Sequence, residues 1–61
     1  MMEANMEKQE KLNNILSNID SLKRQIDNVL IPEMKLMLEL QLGQLEKLAF
    51  NLQEEINNEQ G

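Results

Sequence analysis

Few side chains in this chain could do chemistry beyond packing, and their spacing narrows the choice further. Ser17 and Ser21 stand one helical turn apart beside Asp20, the one grouping with a hydroxyl next to a carboxylate. A serine becomes a nucleophile when a base such as histidine takes its proton, and the chain has no histidine. Both serines also fall on a polar flank, so they are expected to be solvated. Glu54, Glu55 and Glu59 offer carboxylate oxygens to a divalent ion. They lack the loop of alternating oxygen ligands that holds calcium and the Glu-x-x-His spacing of di-metal bundles. We expect no catalytic residue, no metal site and no cofactor, and therefore not an enzyme.

Composition extends this exclusion. There is no Cys, Trp or Tyr and a single Phe, which removes disulfides, thiolate ligands and aromatic stacking platforms. Six basic against eleven acidic residues give a net charge of −5, the wrong sign for release of counterions from a phosphate backbone. Nucleic acid is not an expected partner. The charge is uneven: the segment from Pro32 onward carries six acids and two bases. No run approaches the roughly 20 apolar residues that span a bilayer, because Lys35, Glu39, Gln41 and Gln44 interrupt the richest stretch. No membrane partner is expected, since an amphipathic helix lying on anionic lipid needs basic charge. The chain as it stands starts without a basic and apolar leader, so a cytoplasmic location is the expectation. Three methionines among the first six residues leave the natural start open.

The residues that remain are aliphatic, and they are strictly spaced. Leu12, Ile15, Ile19, Leu22, Ile26 and Val29 follow one another at intervals of three and four, a heptad seam without a miss. Leu16 and Leu30 widen this seam on one flank. Asn13, Ser17, Asp20, Lys23, Arg24 and Asp27 occupy the opposite side, so the first helix is amphipathic. Asn5 suits its N-cap, and Glu7–Lys11 and Asp20–Arg24 are spaced as i, i+4 ion pairs. A second seam runs through Leu38, Leu42, Leu45, Ala49, Leu52 and Ile56, flanked by Met34 and Leu48. These two seams are the expected oligomer core.

The seams are out of frame, and the jump falls beside Pro32. Proline pushes the residue before it out of the helical region but fits the first position of a new helix. The spacing therefore predicts an all-α fold: one domain over residues 1–61, an antiparallel hairpin with helices over about 5–29 and 32–57. One long helix kinked at Pro32, paired as a coiled coil, is the alternative. The connection lacks Gly and is apolar; Asn28 is expected to take a left-handed cap, with Val29, Leu30 and Ile31 tucked under the hairpin end or against another subunit.

The second helix carries more apolar surface than one partner covers. Leu36, Leu40, Gly43 and Phe50 lie opposite its seam, with Met37 to one flank and Lys47 in their midst. Glu39 and Glu46, one heptad apart beside the seam, are expected to set pairing register. Interior Gly43 costs roughly 1 kcal/mol against alanine, which suggests that a backbone or bulky side chain approaches there. Sixty-one residues are too few to bury this surface alone. Self-association as a dimer or tetramer is expected, two hairpins making a four-helix bundle.

The segment Leu42-Gly43-Gln44-Leu45-Glu46 faintly resembles the signature of the small aspartyl-phosphate phosphatases of spore formers, which reads Ser-Gln, a variable residue, then Leu-Asp. Here Leu42 and Gly43 stand in place of Ser-Gln and Glu46 in place of Asp. The phosphatase residues are not carried over. In length and topology the chain is also similar to the dimeric hairpin that modulates plasmid copy number by binding RNA, but its acidity argues against that partner. Neither resemblance assigns a family.

The functional expectation is a small non-enzymatic interaction module of bacterial or phage type: an oligomeric adaptor, regulator or inhibitor. It would bind a larger protein through Leu36, Met37, Leu40, Gly43, Lys47 and Phe50. The rival is a purely structural assembly element whose only partner is itself.

Overall fold

Two uninterrupted heptad seams separated by a proline make two helices, and the computed structural model has them as α1 (Met2–Asn28) and α2 (Pro32–Gln60). It describes residues 2–60, with side chains from 6 to 59. The helices pack on each other as a hairpin, and no strand occurs among the described residues. A single kinked helix is thereby excluded. The molecule measures 46 × 14 × 11 Å, the length of one long helix and the thickness of two.

The element bounds differ from expectation at three places. The first helix starts at Met2, so Asn5 lies inside it instead of capping it, and it ends at Asn28 instead of Val29. The second continues to Gln60, past the expected end at Asn57. No Gly or Pro precedes Pro32 in the chain, so α1 can begin at Met2, and none lies between Asn57 and Gln60, so α2 runs on to Gln60.

The turn departs further. No described residue has positive φ, so Asn28 does not take the left-handed cap. The Val29 N–H instead donates to the Ile26 carbonyl at 3.3 Å, a tightened last turn. The Lys35 N–H donates to the Ile31 carbonyl at 3.0 Å, which makes Ile31 the N-cap of α2 and Pro32 its first helical residue. Val29 is half-buried, whereas Ile31 is exposed and Leu30 is 93% exposed. Neither of the latter two tucks under the hairpin.

The reason is axial stagger. Lys8 of α1 pairs with Glu59 of α2, which fixes the open end of the hairpin. From Lys8 to Asn28 the helix rises about 30 Å, and the same distance back from Glu59 along α2 reaches about Glu39. The first two turns of α2 therefore project about 10 Å beyond the end of α1. Every residue from 30 to 37 is exposed. The connection must cross about 9 Å between helix axes while climbing this overhang, and four peptide steps reach at most about 14 Å. A curled left-handed cap would shorten that reach.

The core is the line where the seams meet. Leu12, Ile19, Leu22, Ile26, Ala49 and Ile56 are buried, Leu12 and Ile56 to 2% exposure. Ile15, Leu42, Leu45 and Leu52 pack against it half-buried, as one helix can cover only one side of a leucine. Leu38 is half-buried as well. The flanking Leu16, Met34 and Leu48 remain exposed, so the seams are narrower than the sequence reading made them.

Candidate interaction surface

Packing α2 on α1 through the Leu38 to Ile56 seam turns the opposite side of α2 outward. Leu36, Met37, Leu40, Gly43, Lys47 and Phe50 are all exposed there, Leu40 and Phe50 each to 64%. The stripe repeats at heptad spacing on the side away from α1, so α2 carries apolar seams on two opposite faces and α1 on one. A Cβ at Gly43 would meet nothing within 4 Å, so the glycine answers no crowding within the hairpin. Lys47 joins no ion pair among the described residues, and Glu39 and Glu46 flank the stripe in solvent.

A second exposed cluster, absent from the sequence reading as a surface, lies at the turn end. Leu30, Ile31, Met34 and Met37 sit on the connection and on the overhanging turns of α2. Its signal is the apolar connection without a glycine, expected either to tuck under the hairpin end or to pack against another subunit; within one chain it does not tuck under. The residues expected in an oligomer core lie along the interface of the two helices of one chain, with Ile15, Val29, Leu38, Leu42, Leu45 and Leu52 half covered by it.

The charged residues do structural work where they meet. Lys8 donates to the Glu59 carboxylate, a contact between residues 51 apart in the chain. That hydrogen bond above all raises the Lys8 pKa above its ordinary value; desolvation opposes it, and the charges of Glu59 and then Glu55 add to the rise. Asp20 and Arg24 form the expected i, i+4 pair at 2.8 Å, well exposed on both sides and worth a few tenths of a kcal/mol. Glu7 and Lys11 do not close into a pair among the described residues; both stand exposed and keep their rotamer freedom.

Ser17, Asp20 and Ser21 are exposed on α1, with no wall around them to exclude water. Glu59 is committed to Lys8, and no group of three acidic side chains that could hold a metal ion occurs among the described residues. No pocket is present among those residues, nor a helix long and apolar enough to cross a membrane.

The total accessible surface is 5090 Å². A compact folded monomer of 7.1 kDa exposes about 4,100 Å². The hairpin thus shows on the order of 1,000 Å² more than its mass requires. Compared with known proteins, the chain matches no family model, no curated protein and no solved structure.

Proposed function

We propose that this protein works by protein contact and not by catalysis, as a small helical adaptor, regulator or inhibitor whose contact surfaces are the outer face of α2 and the exposed turn end. The observation that carries this is the stripe of Leu36, Leu40 and Phe50, exposed along one side of a helix whose other side is already occupied. Large apolar side chains exposed in register along one helix face of a small chain support an interaction site there. The charge balance and the absence of histidine and cysteine support a role without nucleic acid or active-site chemistry.

The assembly-element reading stays alongside, favoured by the heptad spacing of the outer stripe, which is the pattern of a helix made to pair with another helix. Replacing Leu36, Leu40 and Phe50 together by Ser tests the class. All three are exposed, so helicity should persist while solution mass or capture of a larger protein falls. Unchanged mass and unchanged binding would remove the contact reading. Capture of nothing but the chain itself would favour the assembly element.

A further inference from the structure

We infer that the outer face of α2 is first occupied by a second copy of the same chain, antiparallel, with the twofold axis at Gly43. This rests on the contact reading above and names the occupant of that surface; it leaves the turn end free for a larger protein.

Three observations carry it. The first is the inequality of the helices: α1 is polar on its outer side, whereas α2 is apolar on two opposite sides. That is the pattern of an edge helix and a central helix, and two hairpins joined through α2 give the layered order α1, α2, α2, α1. The second is area. The excess surface of about 1,000 Å², which the elongated shape spreads over the whole hairpin, is of the order of the roughly 800 Å² that each partner gives to a standard stable interface.

The third is the self-complementarity of the stripe. Leu36 and Phe50 each lie seven residues from Gly43, and Glu39 and Lys47 each lie four. An isologous contact requires that residue i meet j while j meets i. With the axis at Gly43, Leu36 faces Phe50 of the second copy, and Phe50 faces its Leu36. The two Gly43 backbones approach at the waist, where each hairpin has open space beside the glycine. Lys47, which joins no ion pair among the described residues, comes beside Glu39 of the second copy, and this happens twice. A parallel pairing would instead set Lys47 against Lys47.

Sedimentation equilibrium from micromolar to near-millimolar protein tests the proposal. Wild type should show a monomer–dimer equilibrium. Gly43→Lys improves helix propensity and meets no obstacle in the hairpin, so the fold survives while two ammonium groups meet at the axis. Dimer affinity should fall about tenfold or more. Lys47→Glu and Glu39→Lys should each weaken the dimer, and the two together in one chain should restore it, because symmetry rebuilds both ion pairs. As the chain has no native cysteine, Gly43→Cys should also give a disulfide-linked dimer on mild oxidation. A monomer at every concentration, a dimer indifferent to Gly43→Lys, or no rescue by the double swap overturns the inference. A monomer that still loses a larger protein on the triple Ser substitution would leave the contact reading standing.

Discussion

Ile31 occupies the N-cap of α2, a position where an aliphatic side chain can accept no hydrogen bond from the first turn. Ser at this position supplies the missing acceptor, so Ile31→Ser should raise stability by about 1 kcal/mol, read as a higher melting temperature. It should also weaken any contact made by the turn end, the common trade between stability and function. An unchanged or lower melting temperature would argue against Ile31 as the cap. Lys8 makes a second prediction. Its folded-state pKa lies above its ordinary value of 10.5, so the Lys8–Glu59 contribution is fully present below about pH 10.5 and fades as pH rises through the folded value. Wild type should therefore lose stability above that pH more steeply than Lys8→Met, measured by thermal melts across the alkaline range. Identical alkaline slopes would show the ends unpaired. Ile31 as the cap follows from Pro32 at the first helical position, whereas Lys8 was not legible as structural, because an inter-helix ion pair depends on where distant parts of the chain meet.

At the level of the helices, burial separates residues of identical chemistry. Leu12 is buried and Leu40 exposed, although both recur at heptad spacing. Leu12→Ala should cost about 3 kcal/mol, the usual range for a cavity in a packed core, and Leu40→Ala close to nothing in a dilute hairpin. Urea titrations of the two variants compare them directly, and equal losses would contradict the assignment of faces. Both seams and the break at Pro32 were readable beforehand, since a period of 3.5 residues and a proline leave distinct marks. The stagger was not. Sliding one helix past the other by a heptad keeps every seam residue facing the seam, so periodicity cannot select the axial register. Here the reach of the three-residue connection limits it, and the exposed Lys8–Glu59 pair closes at the register adopted.

For the molecule as a whole, the question is how a 46 Å hairpin with an uncovered second face remains folded. Two helices bury one line of side chains, which is little against the entropy of ordering them. The proposed association through α2 would add free energy by mass action, so the melting temperature should rise with protein concentration. A midpoint constant across a hundredfold dilution would mean that the hairpin needs no company. The net charge of −5 per chain opposes that association at low ionic strength, and added salt should ease it by screening.

The amino-acid order alone dictated two helices, their break, their facing seams and the surplus apolar stripe, because each is a matter of local propensity and of period along one helix. Packing in three dimensions decided the rest: the stagger, the drawn-out turn with Leu30 and Ile31 in solvent, the Lys8–Glu59 closure and the half-covered state of the α2 leucines. Those features arise from contacts between residues far apart in the chain, and a repeating pattern is the same at every multiple of its own period.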